Sequence, residues 1–240
     1  MGHIARGLSL CPVYNAGMAD ALEEMPLFPL KTVVFPYARL QIHVFEPRYQ
    51  EMIRYCAEND LGFGVVLIRE GEETGPADPY LVGTAVHIAR VDTFDDGKMD
   101  VRVQGQRRFR IRRLDETTKP YLVGHVEPVI ELELDDSPRA DALCYRLREC
   151  IEEYIRSELR HYDFRVQKIN LPSEPTALSF VVANLLRIEN LDKQRLLETT
   201  DTVERMAEIV PLLQQQIIEA HTTGSYRVTA SMLSEWVSRN

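Results

Sequence analysis

The chain has 240 residues, of which 45% are hydrophobic and 27% charged, ordinary values for a soluble globular protein and enough for one large domain or two small ones. A formal net charge of -9 argues against a general phosphate-backbone binder, which needs clustered Lys and Arg to release counterions, and no apolar run approaches the roughly 20 residues required to cross a bilayer. From Pro26-Leu27-Phe28-Pro29-Leu30 through Val33-Val34-Phe35-Pro36, apolar residues come in short β-branched and aromatic runs broken by Pro26, Pro29, Pro36 and Pro47. That pattern suits edge strands with tight connections rather than a helix. After Glu46-Pro47, the 3-4 spacing of Tyr49, Met52, Ile53, Tyr55 and Cys56 predicts an amphipathic helix of about three turns, ended by Asn59 and Gly62. Apolar runs follow at Val65–Ile68, Ala85–Val91, Met99–Val103, Phe109–Leu114 and Leu122–Val126. Asp95-Asp96-Gly97 reads as a hairpin, since Asp-Gly supplies the positive φ of a tight turn. Glu70–Pro79 reads as an exposed loop. Several strands and one helix in this span predict a small, partly closed barrel.

Between Pro128 and Pro138 the texture changes, through Glu131, Glu133, Asp135 and Asp136, into helical periodicity, and the boundary between the two units is placed there. Ser137-Pro138 starts a long helix with the apolar face Leu143, Leu147, Ile151, Tyr154 and Tyr162. A second helix enters at Ser173–Thr176 and buries Leu178, Val181, Val182, Leu185 and Leu186; a short one covers Lys193–Glu198. Asp201-Thr202-Val203-Glu204 has capping-box spacing ahead of a final helix with the stripe Val203, Met206, Val210, Leu213 and Ile217, which Pro211 is expected to kink and Gly224 to end. Helices this narrow on their apolar side are expected to pack as a bundle beside the β module. Leu233, Trp236 and Val237 form a weak amphipathic turn in a tail expected to dock on its own domain.

Chemistry-bearing patterns are sparse. Cys11, Cys56, Cys144 and Cys150 lack C-x-x-C spacing and read as reduced thiols of a cytoplasmic protein. His43, His87 and His125 sit singly in predicted strands, and Asp92–Gly97 imitates a calcium loop but has Phe94 at a ligand position. No metal and no cofactor is expected. Arg102, Arg107, Arg108, Arg110, Arg112 and Arg113 crowd one hairpin. With Phe109 and Ile111 facing the core, alternation puts Arg108, Arg110 and Arg112 together on the solvent face, an alternative RNA or anion surface.

Taken in order, Pro26–Pro36, His43-Val44-Phe45-Glu46-Pro47-Arg48-Tyr49, Leu61–Ile68, Val82-Gly83-Thr84-Ala85, Asp100–Ile111 and Lys193–Glu198 resemble the successive landmarks of the Lon protease N-terminal, or LON substrate-binding, domain. That domain begins ATP-dependent Lon proteases and also occurs as a stand-alone protein. The resemblance spans residues 25 to 215 and implies an α+β fold: an N-terminal PUA-like, partly closed β-barrel with one inserted helix, followed by a C-terminal α-helical bundle. The expected divisions are a flexible leader at 1–24, the β-rich unit at 25–130, the helical unit at 131–222 and a tail at 223–240. No G-x-x-x-x-G-K-[ST] loop occurs and there is no room for a Ser-Lys protease domain, so the expectation is a non-enzymatic module without catalytic residues. By resemblance it binds unfolded or extended protein segments, with a protease or chaperone as partner, as a monomer or weak dimer away from membranes and nucleic acid. Phe35, Tyr37 and Phe45 are the candidate peptide contacts, since recognition of misfolded chains needs exposed aromatic surface. Glu46, Pro47, Arg48 and Tyr49 are the family motif, expected to fix a strand-to-helix junction. The rival readings are an RNA-binding PUA-like module using the arginine hairpin and a small-molecule pocket in the barrel.

Overall fold

The computed structural model describes residues 22–134, 137–159, 168–223 and 237–238. Strands β1 (Glu23–Leu30), β2 (Arg39–Val44), β3 (Phe63–Gly71), β4 (Ala77–Pro79), β5 (Val82–Thr93), β6 (Met99–Asp115) and β7 (Val123–Pro128) form one sheet, with helix α1 (Pro47–Glu58) between β2 and β3. The strands close into a ring in the order β1, β7, β6, β5, β3 and back to β1. Closure is achieved by β1 alone: Glu23–Pro26 pair antiparallel with β7, and Leu27–Leu30 pair parallel with β3. The proline-rich opening strand is therefore not an edge. Leu27 N–H donates to Leu122 O on the β7 side (2.8 Å), so the period-two backbone turns the ring nitrogen of Pro29 away from β3, where no ladder bond is lost.

The interior of the ring is filled by side chains from all five of its strands: Leu27, Val66, Ala85, Phe109, Ile111 and Val126. A Cβ on Gly64 or Gly83 would come within 2.6 and 2.8 Å, respectively, of the Phe109 ring, so glycine in the wall gives that ring its space. This packing leaves the barrel interior occupied rather than open to a small molecule. The outer face carries a second, larger core that runs without interruption from Phe28, Phe63 and Val101 into Leu147, Phe180 and Leu213 of the helical half.

Several sequence expectations hold. The Asp95-Asp96-Gly97 turn joins β5 to β6, with Gly97 at φ 82° and Phe94 N–H on Lys98 O (2.9 Å). Ser137 Oγ accepts from Ala140 N–H (3.2 Å) at the start of α2 (Pro138–Leu159). Glu174 accepts from Thr176 and Ala177 N–H at α3 (Pro175–Leu185). After α4 (Asn190–Glu198), Asp201 Oδ1 accepts from Val203 and Glu204 N–H at α5 (Thr202–Thr223), which continues through Pro211. Others shift. The two runs at 99–103 and 109–114 are one 17-residue strand, because register irregularities opposite Val86 and Arg90 let β5 follow its bend. The supposed loop at 70–79 contains the β3–β4 hairpin. Glu23 and Glu24, assigned to the leader, pair with Val126 and His125; the rest of the leader except Leu22 lies outside the described residues, as do Cys11, Tyr162, Gly224, Leu233 and Trp236. Val237 belongs to a two-residue strand, β9 (Val237–Ser238), paired with β8 (Lys168–Ile169), rather than to a helical turn. Cys56, Cys144 and Cys150 are free thiols. Among the described residues no helix is long and apolar enough to cross a membrane, and no cluster of His, Cys, Asp or Glu could hold a metal.

Candidate functional site

The three aromatic residues singled out from sequence separate in space. Phe35 is fully buried and its ring lies 6.3 Å from that of Phe180; it belongs to the core and offers no exposed surface. The reason is local. Ala38 N–H closes a turn onto Phe35 O with Pro36 at its second position and Tyr37, φ 68°, at its third, and this turn is clamped over Gly105 by Tyr37 N–H to Gly105 O and Gly105 N–H to Ala38 O. Pro followed by a positive φ is type II geometry, normally completed by Gly; Tyr there costs about 1–2 kcal/mol. The turn pushes Phe35 inward and leaves Tyr37 half-exposed.

Phe45 is half-exposed at the far end of β2, separated from Tyr37 by the length of that strand, roughly 20 Å at about 3.4 Å per residue. It has different company. His43, two residues earlier on the same exposed side, lies 6.3 Å from Phe45 between ring centroids and 6.3 Å from Phe94 of the β5–β6 turn, which is itself half-exposed. Asp100, directly opposite His43 on β6, accepts at 2.7 Å from the imidazole Nδ1 and at 3.1 Å from Gln41, and Gln50 of α1 donates to Phe45 O (3.1 Å). The result is an anchored patch of Phe45, His43 and Phe94 at one end of β2, a strand that pairs with β6 alone among the described residues. Sequence reasoning missed Phe94, which entered it only as the residue that breaks a calcium-loop pattern.

The Glu46–Tyr49 motif sits at the β2–α1 junction. Arg48 donates from Nε to Glu46 Oε2 (3.0 Å) and from Nη2 to Gly75 O (2.9 Å), tying the helix start to the β3–β4 turn. Its guanidinium lies 4.5 Å over the Tyr49 ring, which stacks on Phe28 at 4.3 Å. Burial pushes the Tyr49 hydroxyl up to about 12. Beside this junction is a groove of about 590 Å³ whose lining includes Arg48, Tyr49, Glu70, Asp78, Tyr121 and Leu122. With Arg48 already committed to its neighbours, the groove offers a carboxylate-rimmed, mixed surface rather than an anion site.

The arginine hairpin does not present a free cationic face. Arg108 is buried: its guanidinium donates to Leu197 O (2.5 Å), to Thr199 O (2.8 Å) and to Glu131 Oε1. The expectation that it shares a solvent face with Arg110 and Arg112 fails because the helical half covers β6 at Arg108, through Leu197 and Thr199. Arg112 is exposed but pairs with Glu127 at 2.6 Å, and Arg107 pairs with Glu23. Arg110, half-buried, is opposite Glu127 in the β6–β7 register. Behind Arg108 lies a second buried arginine that sequence reasoning did not detect, Arg205 of α5. It donates to Glu131 Oε2 (3.1 Å), Ser179 Oγ (2.9 Å), Thr199 O (2.5 Å) and Thr202 Oγ1 (3.0 Å), and stacks 4.0 Å from the Phe180 ring. Burial lowers the pKa of both guanidinium groups, that of Arg108 to about 10, and Glu131 opposes that shift, so both stay charged at neutral pH. Two cations and one carboxylate thus join the ring to the helices.

Comparison with known proteins agrees with this architecture. Residues 24–215 match the family described as the ATP-dependent protease La (LON) substrate-binding domain. A Lon protease of Desulfovibrio desulfuricans is 25% identical over 205 residues, which is 84% of this chain but 23% of that protein; Lon protease 1 of Thermus thermophilus is 28% identical over 83% of this chain and 26% of its own length. The chain thus spans about a quarter of the curated relatives it matches. Among solved structures, a Lon N-terminal domain protein from Xanthomonas campestris is 28% identical with a TM-score of 0.58, covering 79% of this chain and 98% of that one. The N-terminal domain of a Mycobacterium avium complex Lon protease, 20% identical, shares the fold with a TM-score of 0.61 over 80% of this chain and 98% of its own.

Proposed function

The chain belongs to the family of LON substrate-binding domains, and from that premise we propose that it is a non-catalytic module that captures unfolded or extended polypeptide segments. One observation carries the reading: β2 has a single strand partner among the described residues, and its exposed side leads to the Phe45, His43 and Phe94 patch. A client strand laid against β2 gains main-chain hydrogen bonds, and an apolar side chain at its end covers the two phenyl rings. Each half-exposed ring offers on the order of 100 Å², worth about 2–3 kcal/mol if fully covered. Ordering the client consumes much of that, so capture is weak and reversible. Tyr37, held out by a strained turn at the other end of β2, supplies a second apolar contact. Captured segments pass to a protease or chaperone partner, the module itself acting as a monomer or weak dimer; the free thiols of Cys56, Cys144 and Cys150 suit the reducing cytoplasm.

The test is anisotropy titration of labelled, reduced and carboxymethylated α-lactalbumin at about 50 mM and about 500 mM salt. Binding that survives high salt and is weakened at least about tenfold by Phe45→Ser with Phe94→Ser is expected. Unchanged binding after those changes and Tyr37→Ala sinks the assignment of the surface. Salt-sensitive capture of RNA with no capture of the unfolded protein replaces the reading with the nucleic-acid one.

A further inference from the structure

Immediately after β7 the chain reads Val129-Ile130-Glu131-Leu132-Glu133-Leu134. Ile130, Leu132 and Leu134 are 67%, 58% and 38% exposed, whereas Glu131 between them is drawn inward onto Arg108 and Arg205. In strand-like alternation the two facts are one: anchoring Glu131 obliges its neighbours to face outward. Burying two guanidinium groups behind one carboxylate is expensive, and here that arrangement holds a line of aliphatic side chains in water. Nor is the backbone of this run closed. Val129 N–H donates to Arg108 O (3.3 Å) and Leu132 N–H to Thr200 O (3.0 Å), which ties the edge shared by Ile130 and Leu132 to the helical half, while the N–H groups of Glu131 and Glu133, together on the other edge of an extended run, have no acceptor within the described residues. Glu133 is exposed and carries no ion-pair partner there.

We propose that residues 130–134 form a second docking edge, taken by an extended strand of another polypeptide in which apolar residues alternate with Lys or Arg. The open N–H groups supply main-chain pairing, the aliphatic line takes the apolar side chains, and Glu133, on the opposite face of the run, takes the basic ones. A second copy of this chain is the poorer occupant. Two chains of net charge -9 repel, and three part-exposed aliphatics offer on the order of a few hundred Å², short of the roughly 800 Å² per partner of a stable interface. This surface is separate from the β2 edge and stands or falls without it.

The probe is a fluorescein-labelled peptide of roughly nine residues with Val and Lys alternating, compared by anisotropy with a peptide of the same composition in two blocks. The alternating peptide is expected to bind more tightly, and Leu132→Asp and Glu133→Lys each to weaken it at least about tenfold, with Phe45→Ser leaving it unchanged. Thermal melts of the variants establish that they are folded, and Leu132→Ser replaces Leu132→Asp if the latter is not. Absence of binding, equal binding of the two peptides, or wild-type binding by the folded variants overturns the proposal. So does a dimer in sedimentation velocity that Leu132→Asp dissociates, which makes the second copy the occupant.

Discussion

Replacing Glu131 by Gln removes the carboxylate that ion-pairs with both Arg108 and Arg205 while leaving the shape of the site intact. Both guanidinium groups are fully buried, and Glu131 is 28% exposed. Stripping the partner from a buried charge costs about 3–5 kcal/mol. Gln keeps one acceptor oxygen and water reaches position 131, which brings the expected loss to about 2–3 kcal/mol. For a chain of this size each kcal/mol lowers Tm by about 2–4 °C, so a fall of roughly 5–10 °C is expected. Urea unfolding followed by circular dichroism is the quantitative assay. Because one core runs from the ring into the helices, the transition is expected to remain single, with its midpoint lowered and its slope unchanged. Adding Arg205→Met should recover part of the loss, giving a coupling of about 1–3 kcal/mol between the two positions. A shift below about 0.5 kcal/mol, or strict additivity with Arg205→Met, refutes the reasoning, because the carboxylate would then be holding nothing that water does not hold as well.

Three further outcomes are expected. Gly105→Ala places a Cβ 2.2 Å from Phe35 O, a backbone atom that cannot swing aside, and should cost at least about 2 kcal/mol in a thermal-shift or urea measurement; a neutral result means that the Pro36–Tyr37 turn can lift. Thr84→Val removes the buried hydroxyl that donates to Val34 O at 2.6 Å and should cost about 1–3 kcal/mol by stranding that carbonyl, checked by the same unfolding curve. Burial raises Cys56 from 9.0 to about 11 and Tyr49 from 10.0 to about 12, so their contribution is complete below the unfolded values and is lost as pH rises through the folded ones. Arg108, lowered to about 10, works in the opposite sense above that value, and Lys193, whose pKa burial lowers from 10.5, opposes the decline below that unfolded value; in a Lys193→Met background the urea midpoint is expected to decline from about pH 9 to 10, and a flat midpoint there would contradict the burial of Cys56.

Local chemistry was readable wherever one residue type had one job. The Asp-Gly turn, the Pro47 helix start and the Ser137 and Asp201 helix entries depend on neighbours in sequence and were visible in the letters, whereas at α3 only the entry span Ser173–Thr176 was, without Glu174 as its cap. Position in space was not. Alternation along β6 correctly put Phe109 and Ile111 in a core, but a single strand carries no information about what covers its other face, so Arg108 was given to solvent. Arg205 lies beside Met206 in the stripe of α5, and an arginine in an apolar stripe reads as an interruption until Glu131, from an acidic connector, is brought against it. Phe35 and Tyr37 differ by two residues and were assigned one role; the type II turn between them sends one ring in and the other out. Phe94 was lost for the converse reason: its meaning lies in His43 and Phe45, distant in sequence, and in no pattern of its own.

The divided pairing of β1 also dictates an order of assembly. Met25 meets Gly124 and Leu27 meets Gly64, so β1 has no complete set of neighbours until β7 has been made. The β5–β6 hairpin, joined by a tight turn, can form from local contacts while the N-terminal strand waits. Closing the ring then requires the two most distant segments of the barrel to meet, and the entropy of that long loop is spent late. Substitutions in β1 such as Leu27→Ala should therefore accelerate unfolding while leaving the refolding rate nearly unchanged, and a nascent chain halted before Val123 would carry a proline-rich strand with only half of its lattice of hydrogen bonds to join.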